Sequence, residues 1–403
     1  MITMRRRTFL SRCANLGLVL PLSPSLLWMG CATSNNHAGD LRPRFDGDVI
    51  IVGAGAAGLA AGYMLDGFGI EYEIFEASGR FGGRVGKLDG FMDFPIDLGA
   101  EWIHTDPSIF TAIVNDAHAR VDIDTIEYSP ETIAIWNGRR LKSVDWVSAL
   151  YGEHKFYRST WYDFLEEWLY PASAERLRLN TPVTSIDASG ARVRVALESG
   201  RVASADRGIL AIPVKMLQQD GIVFEPPLPE AKHDAMDAVT VVDGFKMFAE
   251  CDERFYPDLT VMRKLREEGA ADYLAIDGAF RKDSARHLLT VFCVGKQAER
   301  FVHESDARIM ALLTEDLDAA FDGAFSRSLL KARVQNWSAQ PYIQGAYVDD
   351  WRGRLANVVE ELAAPIDGKL FWAGSSMSVN NLSTVHGAIE SGYAAAHALL
   401  EFA

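Results

Sequence analysis

The stretch "DVIIVGAGAAGLAAGYMLDGFGIEYEIFEA", Asp48 to Ala77, decides how this chain folds. Asp48 to Gly53 is a short buried-strand pattern, Ala54 to Phe68 has the composition of a packed helix, and Glu71 to Ala77 is a second strand. Between the first two elements, Gly53, Gly55 and Gly58 spell GxGxxG. The first glycine permits a tight turn, the second lets a diphosphate approach the backbone, and the third lets the helix lie close on the strand. Gly62 extends that close-packing face, and Ala57 falls inside the same cofactor-binding turn. Glu76 ends the second strand, where a carboxylate can accept hydrogen bonds from ribose hydroxyls. Strand, glycines, helix, strand and acid in this register predict a dinucleotide-binding unit.

The bulk numbers agree with an ordinary soluble globular protein. The chain has 403 residues, 48% of them hydrophobic and 24% charged, enough for two domains sharing a large core. No repeat or low-complexity segment stands out. Cys13, Cys31, Cys251 and Cys293 lack metal-ligand spacing, so no metal site and no disulfide framework is expected. The net charge is −15; without residues 1 to 30, which carry Arg5, Arg6, Arg7 and Arg12 and no acid, it is −19. Such a body repels nucleic acid and modestly steers cationic ligands, although acidity of this size is also what solubility alone requires.

The first residues read as an export address. "RRRTFLSRCANLGLVLPLSPSLLWMGC", Arg5 to Cys31, places basic residues before an apolar run broken at Pro21 and Pro24. The run is too short and too interrupted for a membrane span. Arg6-Arg7 followed by Thr8, Phe9 and Leu10 resembles a twin-arginine motif, the alternative being a general secretory leader. Gly30 before Cys31 fits part of a lipobox, although Trp28 stands where leucine is usual, so Cys31 is a candidate lipid anchor. Residues 32–46 read as a polar linker.

Farther along, Ala191 to Pro213 alternates apolar and polar residues as a hairpin followed by a buried strand. His303 to Phe325 has helical periodicity with Ser305 as its cap. Lys369 to Ser376 reads as a strand entering a glycine turn, and Val385 to Phe402 as a terminal helix. A second strand-to-helix turn so far from the first implies a nucleotide domain built from separated segments.

"ASGRFGGRVG", Ala77 to Gly86, and "DLGAEWIH", Asp97 to His104, follow the fingerprint in an order that resembles the flavin-dependent amine oxidase family, which includes monoamine and polyamine oxidases. Gly82 and Gly83 would let backbone amides crowd the cofactor, while Arg80 and Arg84 offset phosphate charge. The resemblance implies noncovalent FAD, with Gly99, Ala100, Glu101 and Trp102 along the flavin ring and Val183 on adenine through its backbone. It also implies that Leu370 to Leu399, with Gly374, Ser375 and Val385, covers the ribityl chain and pyrimidine end. Where the family commonly reads Ala-Gly-Glu, this chain reads Ala373-Gly374-Ser375. The expected class is α/β, with a Rossmann-like FAD-binding domain (47–103, 172–215 and 361–403) and an α+β substrate domain (104–171 and 216–360).

The same resemblance supplies catalytic candidates. Lys246 is followed nine and ten residues later by Phe255 and Tyr256, the family spacing for a lysine that holds a water against flavin N5. Tyr347, ten residues after Trp337, implies one wall of an aromatic slot; Trp337 reads equally as core. Thr384 stands where monoamine oxidases place the opposing tyrosine. Ala346 stands where covalent tethering uses cysteine. Between His104 and Leu177 the family's helical roof is shortened, and "STWYDFLEEWLY", Ser159 to Tyr170, either lines its mouth or packs the core.

The expectation is therefore an exported, periplasmic or cell-envelope FAD-dependent amine oxidase. It would oxidise a C–N bond of a small amine to an imine and reduce oxygen to hydrogen peroxide. A desaturase or oxidase of C–C or ring substrates, and a non-catalytic flavin-fold maturation partner, are the alternatives from other classes.

Overall fold

A computed structural model describes residues 45–116, 118–145, 153–262, 273–350 and 355–402. The leader with Cys31, and the linker up to Arg44, lie outside the described residues. The rest packs as two compact units. The smaller takes Glu127–Glu153 and Asp243–Asn336, and the larger takes residues 45–126, 154–242 and 337–402. Residues 104–126, 154–171, 216–242 and 337–360, expected in a substrate domain, thus pack with the nucleotide-binding segments.

The larger unit is organised by five parallel strands: β1 (Asp48–Val52), β2 (Glu71–Phe75), β3 (Leu177–Arg178), β4 (Arg207–Leu210) and β5 (Leu370–Trp372), in the spatial order β5-β4-β1-β2-β3. The Ile50, Ile51 and Val52 side chains of β1 are buried on both faces, as the apolar run requires of a covered parallel sheet. Helix α1 (Ala56–Phe68) connects β1 to β2. It starts two residues later than expected because Gly53, at φ 99°, begins a turn that Ala54 and Gly55 complete. A hydrophobic layer of Leu59, Ala60, Leu65, Ile74, Ile389, Ala396 and Leu399 joins α1 to the sheet and to the terminal helix Val385–Glu401.

A four-stranded sheet of Val183–Asp187, Val193–Leu197, Val202–Ala205 and Val223–Glu225 accounts for the expected hairpin. The smaller unit holds a seven-stranded sheet in which Gly244–Cys251 lies between Leu329–Asn336 and His287–Val294. Its covering helix runs Asp306–Ala320, and Ser305 caps it by accepting from the Arg308 amide at 3.4 Å. The helix stops short of Phe325 because Asp322 and Gly323 both adopt positive φ.

The segment between His104 and Leu177 corrects the sequence expectation most. It carries the strands Thr125–Tyr128, Ile133–Trp136, Leu141–Ser143 and Glu153–Phe156 and little helix before Trp161. The aromatic run forms a helical stretch, Trp161–Ser173, with a π-turn at Leu165–Leu169. Trp161, Phe164, Leu165 and Leu169 are fully buried among Phe110 and Phe156, so this run is core.

Candidate active site

The glycine turn is shaped by two kinds of constraint. A Cβ at Gly58 would lie 1.9 Å from the Gly53 carbonyl oxygen, so no side chain fits between helix and strand. At Gly55, by contrast, no protein atom lies within 4 Å of where a Cβ would stand. The bare backbone there faces space that a ligand can enter. Helix α1 starts without a side-chain cap and without an acid in its first turn. Its first amides, including those of Ala57 and Gly58, retain the partial positive charge that binds anions.

Glu76 braces this turn from the protein side. Its Oε2 accepts from the Ala54 amide at 2.8 Å, and its Oε1 accepts from the amide and hydroxyl of Ser78 at 2.8 and 2.7 Å. Each of these bonds uses one lone pair, so Oε2 still has acceptor capacity for a ribose hydroxyl. Arg80 differs from expectation: its guanidinium donates to the Phe81, Val85 and Gly83 carbonyls at 3.0, 2.9 and 2.6 Å. It staples the loop that Gly82 and Gly83 turn through positive φ, and its N–H groups are spent on those carbonyls.

Arg84 occupies a different environment. Its Nη1 donates to the Ala346 carbonyl at 2.5 Å and its Nη2 to the Ser375 hydroxyl at 2.9 Å. Burial alone pushes its pKa down to about 10, with no carboxylate acting against it. A half-buried guanidinium whose acceptors are neutral is fitted to an incoming anion. Gly374 holds its place at the end of β5 because Ser391 Oγ accepts from its amide at 2.8 Å and donates to its carbonyl at 3.0 Å. Thr384 caps the terminal helix, accepting from the Gly387 amide at 3.0 Å and donating to the Asn381 carbonyl at 2.8 Å. Val385 is the first buried residue of that helix.

The Gly99-Ala100-Glu101-Trp102 segment is supported by residues that the sequence did not single out. Lys155, itself buried, forms an ion pair with Glu101 and sits 4.9 Å from the centre of the Trp102 ring. The Trp161 indole donates to the Trp102 carbonyl at 3.2 Å. Trp337 takes the packing role: its indole donates to the Leu98 carbonyl at 3.1 Å, and its ring edge would be 2.8 Å from a Cβ at Gly99. The buried His386 sits in the first turn of the terminal helix, and its Nδ1 has no hydrogen-bond partner among the described residues. Burial, and then His104, pull its pKa down to about 4, so the imidazole is neutral at physiological pH.

Of the remaining candidates, Val183 opens its strand opposite Leu197, with a register irregularity before Ser185. Tyr347 is half-buried, and its carbonyl accepts from the Val242 amide at 2.9 Å. Lys246 lies in the smaller unit on the central strand Gly244–Cys251, buried, with Nζ 5.8 Å from the Phe292 ring centre. Phe255 and Tyr256 pack edge to face in that unit, 5.1 Å apart. No group of three or more His, Cys, Asp or Glu side chains among the described residues is placed to hold a metal ion.

An uncapped helix start, a bare glycine facing open space and a half-buried arginine that makes no ion pair among the described residues fit the diphosphate of a dinucleotide, and define a dinucleotide-binding protein. The sequence profile of flavin containing amine oxidoreductases matches residues 56–166 and 162–400, and the chain belongs to that family. Polyamine oxidase 4 of Oryza sativa subsp. japonica is 24% identical over 434 residues, covering 86% of this chain and 87% of that one. Cyclohexylamine oxidase from Brevibacterium oxydans IH-35A superposes with a TM-score of 0.71 at 17% identity, over 88% of this chain and 99% of that one. Wild-type putrescine oxidase bound to putrescine gives 0.69 at 16% identity, over 88% and 98%. The protein is an FAD-dependent oxidoreductase acting on amines. FAD is held noncovalently; Ala346, at the tethering position, offers only a methyl group.

Proposed function

We propose that the chain is an exported amine oxidase that removes two electrons and two protons from an amine. The resulting imine adds water, its C–N bond breaks, and a carbonyl compound and a smaller amine or ammonia leave. FAD, held by the Gly53–Gly58 turn, Glu76 and Arg84, would supply the acceptor for the two electrons, and oxygen, taking up those electrons and two protons, would leave as hydrogen peroxide. The observation that carries this reading is the half-buried Arg84, which makes no ion pair among the described residues, beside the bare Gly55 turn, inside a chain matched by the amine oxidoreductase profile. A di- or polyamine substrate is supported by the names of the relatives and by the net charge of −19 beyond residue 30, which steers cations.

In this reading the protein orients and the cofactor reacts. Tyr347 forms one side of the substrate slot, and Thr384 leaves the other side open because its hydroxyl is engaged in capping. The family resemblance gives Lys246 the role of favouring charge that develops on oxygen. The Arg6-Arg7 leader supports twin-arginine export, a route that passes folded, cofactor-loaded chains, and Cys31 is a candidate anchor. Peroxide and carbonyl product measured across putrescine, spermidine, spermine and simple monoamines test the reaction. Mass spectrometry of the mature N-terminus tests the leader. Peroxide formation with no amine in the panel would overturn the first part, and an uncleaved N-terminus in envelope fractions the second.

A further inference from the structure

The smaller unit holds a cavity of about 330 Å³ whose lining residues take no part in the site described above. Its charged side chains separate by depth. Asp258 and Asp277 are only 7% and 6% exposed, and both are engaged inside the protein. Asp258 Oδ2 accepts from the Glu131 and Thr132 amides at 2.7 and 2.9 Å, and its Oδ1 accepts from Arg254 Nη2. Asp277 Oδ1 accepts from the Ala279 amide at 3.0 Å, and its Oδ2 stands 3.3 Å from Arg254 Nη1. The side chains of Arg254, Arg281 and Arg286, by contrast, are 37, 48 and 35% exposed. The cavity therefore presents a mostly cationic mouth to solvent, in a chain of net charge −15.

Arg281 is held there in a conformation that favours glycine, with φ at 53°. Its guanidinium lies 5.0 Å from the centre of the Phe280 ring. Phe280 packs edge to face on Tyr128 at 4.8 Å, and the Tyr128 hydroxyl donates to the Asp258 carbonyl at 2.6 Å, so the floor beneath Arg281 is fixed. The polar contacts of Arg281 are long: 3.5 Å to the Glu127 carbonyl and 3.3 Å to Glu131, whose side chain is 76% exposed. A surface pair of this kind contributes little and exchanges readily.

We propose that this cavity is a binding site for a small molecule carrying an oxyanion, either a carboxylate or a phosphate, which Arg281 takes in exchange for Glu131. The planar edge of a guanidinium matches two oxygens of such a group, and Arg254 and Arg286 add positive charge beside it. A volume of this size suits a small ligand. The site stands apart from amine oxidation, and filling it needs no turnover.

Calorimetric titration of the FAD-loaded chain with citrate and with inorganic phosphate, against chloride at matched ionic strength, tests the site and separates the two ligand chemistries. At least one of the two anions should bind with one-to-one stoichiometry. Arg281→Gly retains the backbone conformation and should melt within about 2 °C of wild type, yet bind that anion about tenfold or more weakly. Glu131→Gln removes the exposed competitor and should tighten binding by about twofold to fivefold; a site for cations would respond in the opposite direction. No heat beyond the chloride control from either anion, an Arg281→Gly affinity equal to that of wild type, or weaker binding in Glu131→Gln would overturn the proposal. The titration involves no amine, so failure of the amine oxidase reading would leave each of these outcomes unmoved.

Discussion

Gly55 and Gly58 are three residues apart and are glycine for different reasons. Replacing Gly58 with alanine puts a Cβ into the Gly53 carbonyl, and a destabilisation of about 3 kcal/mol is expected in urea unfolding. The Cβ that Gly55→Ser adds meets no atom of the described residues, so its flavin-free form should unfold within about 0.5 kcal/mol of wild type while FAD uptake is weakened. Both glycines were legible in the sequence, because the motif names them. Arg84's isolation was not, since it depends on Ser375 and Ala346 arriving from the far end of the chain. Lys155 gave no signal either, because a lysine in a short strand reads as solvent-facing until Glu101 and Trp102 are placed beside it. His386 supplies a pH dependence. Its folded pKa of about 4 lies below the ordinary 6.5, so its neutral form stabilises the fold fully above pH 6.5 and that contribution is lost as pH falls toward 4. Urea unfolding at pH 5 should show about 2 kcal/mol less stability from this group than at pH 7.5. In His386→Asn that part of the pH slope should be absent; an unchanged slope would assign it to other groups.

Among elements, helix Ala356–Ala363 depends on a lysine from another part of the chain. Lys232 Nζ donates to the Glu361, Leu362 and Ala364 carbonyls at 2.5, 3.1 and 2.8 Å, satisfying the helix's last turn, and lies 5.0 Å from the Trp372 ring centre. A cation at a helix C-terminus is favoured by the helix dipole as well as by these bonds. Lys232→Met should lower stability by about 2–3 kcal/mol and speed hydrogen exchange in that helix and in β5 before the rest of the larger unit. Uniform acceleration across both units would contradict this assignment. The elements that sequence reading recovered are those with local signals: β1, α1, β2, the Val193–Ala205 hairpin and the two long helices. It missed Ile133–Trp136, a four-residue strand whose partner Leu259–Met262 lies more than 120 positions away. Such a strand is too short for periodicity to show, and its pairing is decided by tertiary contacts. For the same reason, Trp161 and its neighbours could not be assigned to core or cavity from aromatic content alone.

At the scale of the whole molecule, chain order and spatial grouping part company. The larger unit collects segments from residues 45 to 402, and the smaller unit interrupts it twice. Motif positions divide the chain at different places from the contacts, which set Glu127–Glu153 and Asp243–Asn336 apart from the rest. The catalytic account divides in the same way. The residues proposed to hold FAD belong to the larger unit, and Lys246 to the smaller. Lys246→Met should leave anaerobic reduction by amine unchanged and slow reoxidation by oxygen by about tenfold or more, read by stopped-flow absorbance. Equal slowing of both half-reactions would instead give Lys246 a structural role. The central claim, that this chain moves electrons from an amine to bound FAD, is tested most directly by mixing FAD-loaded protein with putrescine, spermidine, spermine and monoamines without oxygen. The account predicts that at least one amine bleaches the oxidised flavin spectrum and that a carbonyl product appears in equal amount. A fully loaded flavin left oxidised by every amine would contradict it.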